Sequence, residues 1–269
     1  MNALAAMEAS RLVDLARYPI ADLDTPAARA LVERSRATLE AESVLMLHDF
    51  VTPEARAAMV GELQAALPRA YRRETAFSVY YEGEARPPAG HGALAHNPSR
   101  QTIFAGDQFA REGALWSLFL WDALTDFVAA IVGGGALYRS ADPLASLTAT
   151  AIGDGDRHGW HFDQNDFVVS LLLQEPEEGG RFEMIPGAKD DVHVDHEIVA
   201  RALAGREEGV IRPPMRAGTF SVFRGRRALH RVSPVKGNRQ RLIALFSYHR
   251  RPGMMFTPEV YRVAFGRVA

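Results

Sequence analysis

The hydrophobic positions change period along the chain, and the change divides it into two parts. From Leu4 to Ala16 apolar residues recur at helical spacing, which predicts a first helix. Thr25-Pro26 has the N-cap and N1 pattern and opens a second helix running towards Leu39. Glu42 to Phe50 predicts a short strand. Thr52-Pro53-Glu54 then opens a third helix that ends near Pro68, with Thr52 as its N-cap. Tyr71 to Tyr81 alternates and predicts a strand, whereas Gly83 to Pro98 is rich in Gly, Pro and His and reads as a loop. Ala114 to Ile131 returns to helical spacing and stops at Gly133-Gly134-Gly135.

Beyond that point the runs become short and rich in Val, Ile, Phe, Leu and Thr. They are Leu147 to Ile152, Phe167 to Gln174, Arg181 to Ile185, Thr219 to Phe223, Ala228 to Val232 and Arg241 to Tyr248. One helical insertion, about His196 to Ala204, interrupts them. The expected architecture is mainly β with a helical N-terminal part: helical support over about 1–140 and a jelly-roll core over about 141–255, acting as a single domain over 1–269.

Composition narrows the chemistry. The chain has no cysteine, which excludes thiol catalysis, Fe–S clusters, zinc–thiolate sites and a disulfide framework together. A formal charge of -2 argues against nucleic acid or an acidic membrane as partner. Met1 to Ile20 carries Glu8 and Asp14 among its apolar residues and lacks the pattern of a signal peptide. A cytoplasmic protein acting on a small-molecule substrate is expected, with no nucleic acid and no membrane as partner; a homodimer is compatible with this reading.

The densest chemical cluster is Gly159-Trp160-His161-Phe162-Asp163-Gln164-Asn165-Asp166, between two predicted strands. His161 and Asp163 are two apart, so on extended backbone their side chains point to the same side. His230 sits in another predicted strand. Two histidines and a carboxylate on a β scaffold are what a facial Fe(II) site requires, since three protein ligands leave three positions open. Arg241, at the start of the next apolar strand, can clamp a carboxylate through paired charge-assisted hydrogen bonds, and Arg239 is its near neighbour. Arg72 and Arg73 are candidates for a substrate carboxylate. Trp160, Phe162, Phe167 and Phe220 either line the site or belong to the core.

A second cluster, Asp191-Val192-His193-Val194-Asp195-His196, also contains His-x-Asp, but its polar neighbours mark a charged surface turn. His91 and His96 lie in the Gly/Pro-rich loop, and His249 ends the last strand; all three read as solvated residues, with substrate contact as the alternative for His91 and His96. On the residues alone, a cupin-like small-molecule sensor and a metal dioxygenase that needs no 2-oxoglutarate remain alternatives.

The order His161-Phe162-Asp163, His230, Arg241 resembles the Fe(II)/2-oxoglutarate-dependent dioxygenase superfamily, over roughly Leu147 to Tyr248. The resemblance implies a double-stranded β-helix, the cupin-like jelly roll. It also implies Fe(II) on His161, Asp163 and His230, 2-oxoglutarate with its distal carboxylate on Arg241, and O2 as the second co-substrate. The segments GWHFDQNDFVVSLLLQEPEEGGRFEMIPG and FRGRRALHRVSPVKGNRQRLIALFSY are similar to a bacterial subgroup of free amino-acid halogenases, lysine halogenases among them, and related hydroxylases. In the halogenases Gly replaces the carboxylate ligand and opens a place for chloride. Asp163 stands at that position here, so the similarity implies hydroxylation of a free amino acid or small derivative. It further implies substrate contacts at His158 and at Gln164, Asn165 and Asp166.

Overall fold

A computed structural model describes residues 9–76, 78–81 and 84–268. The first part of the predicted first helix, Leu4 to Glu8, lies outside the described residues. Its described remainder is not helical beyond Ser10; Val13 instead forms an isolated bridge with Val51. The next two helices form as their caps dictate. In α1 (Pro26–Glu42) the Thr25 side chain accepts from the Ala28 N–H, and the helix ends at Ser43 in the left-handed conformation. In α2 (Pro53–Ala66) Thr52 accepts from the Ala55 N–H, and Ala55, Met59, Leu63 and Ala66 form one buried stripe. The predicted helix over Ala114 to Ile131 is two helices, α3 (Ala114–Leu120) and α4 (Asp122–Val132). They bend by 56° at Trp121, whose backbone is extended. Among the described residues no single helix is long and apolar enough to cross a membrane.

Seven strands form one sheet, ordered β1-β10-β7-β13-β5-β3-β2. They are β1 (Val44–Leu47), β2 (Tyr71–Ala76), β3 (Pro98–Phe104), β5 (Leu147–Ile152), β7 (Val168–Gln174), β10 (Phe220–Phe223) and β13 (Arg241–Phe246). A smaller sheet, β6-β11-β9, comprises β6 (His158–His161), β9 (Phe182–Ile185) and β11 (Leu229–Val232). Two short pairs complete the strands: β4 (Tyr138–Arg139) with β14 (Tyr248–His249), and β8 (Glu178–Gly179) with β12 (Val235–Lys236). All pairings within the sheets are antiparallel.

Period-two alternation gives the large sheet two different faces. Leu45, Leu47, Leu171, Leu173, Phe220, Val222, Ala244 and Phe246 point one way and join the helices in the main core. Burying each large side chain contributes roughly 1.5–3 kcal/mol, so this face fixes the register. The opposite face carries Thr148, Thr150, Ser170, Arg241, Ile243 and Leu245, and these line an internal cavity closed from the other side by the small sheet.

Further elements also depart from the expectations. Strand β3 was not expected because its inner positions, Ser99 and Gln101, are polar yet buried, so no apolar alternation marks it. The C-terminal helix α6 (Pro258–Phe265) begins with Thr257-Pro258-Glu259, the same signature as Thr52-Pro53-Glu54, and ends at Gly266 in the left-handed region. The insertion helix α5 (His196–Leu203) is where the sequence places it, with Asp195 as N-cap. Predicted strand Tyr71 to Tyr81 ends at Ala76, because Val79 and Tyr80 turn inward to pack with Val199 and Ala202 of α5.

Candidate metal centre

Strand pairing brings distant residues together: His230 of β11 stands directly opposite His161 at the end of β6. Asp163 lies just past the strand, held by a hydrogen bond from its N–H to the Gly225 carbonyl (3.0 Å). The Nε2 atoms of His161 and His230 lie 3.8 Å from Asp163 Oδ1 and 3.0 Å from Oδ2, respectively. One donor atom from each residue falls within 4.8 Å of the other two, and among the described residues this is the only such cluster.

Backbone carbonyls set the imidazole tautomers. His161 Nδ1 lies 2.8 Å from Gly159 O, and His230 Nδ1 lies 2.9 Å from Ala228 O. A carbonyl only accepts, so each Nδ1 carries the proton and each Nε2 offers a lone pair to the cluster. Burial, reinforced by His230, pushes His161 down to about 4, so it is neutral at pH 7. Burial alone would raise Asp163, but the His230 and His161 imidazoles outweigh it and hold the carboxyl below its ordinary value. The centre therefore presents two imidazole nitrogens and one carboxylate, the donor set a divalent first-row cation takes. Phe223 packs edge-on against the His230 ring at 4.9 Å, and His158 stacks on His161 at 4.0 Å.

Gly225 makes room for the carboxylate. A Cβ there would collide with Asp163 Oδ2 and approach Val168 Cγ2 to 2.9 Å. Nothing in the sequence separates this glycine from the turn glycines around it.

The cavity beside the triad has a volume of about 370 Å³. Arg241 enters it from β13, only 2% exposed, opposite Ile152 of β5. Burial lowers the guanidinium to about 10, which leaves it cationic at neutral pH. Among the described residues no carboxylate lies within ion-pair distance of it; its Nη2 contacts Met215 Sδ at 3.4 Å. A buried charge without a counter-charge costs several kcal/mol, so this position fits an anion received from outside the chain. Phe182 and Met215 stand with Arg241 between this cavity and a second, more polar one of about 460 Å³.

The other candidates divide clearly. His158, Gln164 and Asn165 line the cavity, as does Phe167. Asp166 does not: its exposed carboxylate faces Arg226 at 3.7 Å, because the turn after Asp163 points it outward. Arg73 lies on β2 opposite Gln101, half-buried and near enough for its charge to lower His158 and His161. Arg72 is bound by Asp156 through two hydrogen bonds of 2.5 and 2.7 Å. Arg239 donates to the carbonyls of Glu175 and Pro176, away from the cavity. Trp160, Phe162 and Phe220 are core residues. In the second His-x-Asp cluster Asp191 pairs with Arg227, Asp195 caps α5 and His196 meets the Tyr80 hydroxyl, so its groups serve structure. His91 caps a short turn and reaches Glu197, and His249 is half-buried against Phe256 rather than solvated. Tyr81, not anticipated, lines the cavity and donates its hydroxyl to the Phe162 carbonyl (2.5 Å).

Solved structures share this fold at low sequence identity. The non-heme α-ketoglutarate-dependent epimerase SnoN from nogalamycin biosynthesis is 13% identical, with a TM-score of 0.56 over 82% of this chain and 83% of that one. AviO1 from Streptomyces viridochromogenes Tue57 is 17% identical, with a TM-score of 0.56 over 82% and 96%. The α-ketoglutarate-dependent carbocyclase SnoK from nogalamycin biosynthesis is 13% identical, with a TM-score of 0.55 over 88% and 92%. The common architecture is the double-stranded β-helix, mainly β with helical support. No curated protein matches the sequence significantly. A family model described as Halogenase D matches residues 27–255, and on that match over most of its length the chain belongs to the Halogenase D family.

Proposed function

We propose that the chain is an Fe(II)- and 2-oxoglutarate-dependent oxygenase that hydroxylates an unactivated C–H of a small substrate, a free amino acid or derivative. The observation that carries this reading is Arg241: a buried cation with no carboxylate partner among the described residues, in the same cavity as the His161, Asp163 and His230 donors. A sensor or a dioxygenase without co-substrate has no use for such a group.

His161, Asp163 and His230 would hold the iron, and Arg241 would receive the distal carboxylate of 2-oxoglutarate. Iron with 2-oxoglutarate and O2 supplies the oxidising power, which no side chain of this chain could provide. The protein orients the reactants and excludes water. Phe182, Phe223 and Ile243 supply apolar wall to the cavity that holds the triad and Arg241, while the Gly159 and Ala228 carbonyls hold both imidazoles in the ligating tautomer. Asp163 supports hydroxylation over halogenation. It fills the position that glycine leaves open in the halogenases, and Gly225 gives that carboxylate its space. We take residues 1–269 to act as one unit, with the helical part backing the large sheet.

Anaerobic titration of the apo protein with Fe(II) and 2-oxoglutarate tests the reading through the weak visible charge-transfer band of the chelate. The band is expected in wild type and lost in Arg241→Ala, with iron still bound. Iron binding without any band in wild type would overturn the co-substrate assignment.

A further inference from the structure

The helix α6 closes one side of the cavity, and its sequence decides what it offers there. Val260 and Ala264 are four apart and share one face of α6, Phe256 precedes the Thr257 cap, and all three line the cavity. Phe265 from the adjoining face joins them, and Phe167 and Leu245 line the same cavity. The charged residues of α6 stay outside: Glu259 and Arg262 are exposed and lie 3.5 Å apart, one turn from each other. Beyond the helix, Arg267 is taken by Asp107.

The helix is pinned. Asp142, 1% exposed, accepts the Phe256 N–H at 2.8 Å and the Tyr261 hydroxyl at 2.6 Å. Its other oxygen accepts the N–H groups of Leu144 and Ala145, and Ala145 is itself a cavity residue. The apolar wall is therefore a built part of the cavity.

Among the described lining residues Asp163 is the single carboxylate, and it stands in the metal centre with its oxygens beside the Nε2 atoms of His161 and His230. The remaining polar groups of the sheet wall, Thr148, Thr150, Ser170 and Ser247, are neutral hydroxyls. An ammonium directed at α6 would leave water and meet no anion, whereas a hydrocarbon end would gain by the transfer.

We propose, building on the oxygenase reading, that the substrate presents an aliphatic or aromatic end to the Phe256–Val260–Ala264 wall. The chain then acts on an amino acid or derivative with an uncharged side chain, not a cationic one, and Val260 is a specificity-determining residue. L-norleucine and L-lysine differ in that the terminal ammonium is replaced by hydrogen, which makes them the discriminating pair.

The test is calorimetric binding of each to the protein, anaerobically and with Fe(II) and 2-oxoglutarate present. L-norleucine is expected to bind at least tenfold more tightly than L-lysine. Val260→Glu, which puts a carboxylate on the cavity face, is expected to weaken L-norleucine and strengthen L-lysine. Ala264→Glu, one turn further on, makes the same test if Val260→Glu does not melt cooperatively. Equal binding of the two, tighter binding of L-lysine, binding of neither, or an unchanged ranking in a folded variant would overturn the proposal. Iron and 2-oxoglutarate are titrated first, without amino acid, and that step bears on the oxygenase reading alone. The ranking of the two amino acids is read whichever way it falls.

Discussion

Replacing Gly225 by alanine tests the metal centre without touching a donor atom. The Gly225 backbone is not in the left-handed region, so alanine brings no conformational strain of its own. What it brings is a methyl group in the space of Asp163 Oδ2, with Val168 Cγ2 at 2.9 Å on its other side. The Asp163 side chain is 28% exposed towards the cavity and can swing away, so the overpacking cost should sit near the low end of its usual range, about 1 kcal/mol. The swing carries the carboxylate off the Nε2 atoms of His161 and His230. Disturbing a group that positions a ligand typically costs about 10–100-fold in metal affinity, or roughly 1.4–2.8 kcal/mol. The assay is an anaerobic Fe(II) or Co(II) titration of Gly225→Ala and wild type, with apo melting curves as the control for folding. A double-mutant cycle with Asp163→Ala isolates the route, because an effect that acts through the carboxylate disappears once the carboxylate is gone. Unchanged affinity in Gly225→Ala, or the same loss in both backgrounds, would refute the reasoning.

The other predictions follow from the same geometry. Arg241→Met should abolish 2-oxoglutarate binding while the apo protein melts at the same or a higher temperature, since a buried unpaired cation is replaced by a side chain that fits Met215 and Phe182; a markedly lower melting temperature would show that the guanidinium is structurally required. Asp163→Ala should remove hydroxylation, and Asp163→Gly with added chloride should give traces of halogenated product by mass spectrometry; full turnover in Asp163→Ala would end its assignment as a ligand. The folded value of His161, about 4, lies below the ordinary 6.5, so its contribution to apo stability is complete above pH 6.5 and is lost as pH falls towards 4. Chemical denaturation of the apo protein over that window should show a shallower slope in His161→Asn than in wild type, and identical slopes would remove the assignment.

Local signals made much of this legible. Thr25-Pro26 and Thr52-Pro53 announce helices because a side-chain oxygen and a preset φ act within one turn. The apolar runs of β5, β7, β10 and β13 announce strands because their outward halves are the main core. His161, Asp163 and His230 were readable from spacing and strand context, although their meeting depends on the pairing of β6 with β11. The remainder depends on tertiary contact. Ser99 and Gln101 disguise β3, since polar residues are buried there. The bend at Trp121 leaves the helical period nearly intact on both sides. Asp166 sits only three residues past Asp163, yet a turn reverses its direction. Helix α6 was readable in principle, because Thr257-Pro258-Glu259 repeats a signal already used at Thr52.

The pairing of His161 with His230 also governs the order in which the protein can assemble. His161 and Asp163 are neighbours in the chain, but their third partner arrives from a strand formed much later in the sequence. Of this centre an unfolded chain can offer an ion only the His161–Asp163 pair, so its three-donor coordination comes only after β6 and β11 have found one another. The late, long-range closure belongs to the slow class of folding events. A bound ion then acts as a latch on that closure, stabilising the native chain by RT ln(1 + [M]/Kd) while doing little for the unfolded one. Metal depletion should accordingly be felt first as faster opening of the small sheet, with the helix-backed large sheet holding longer.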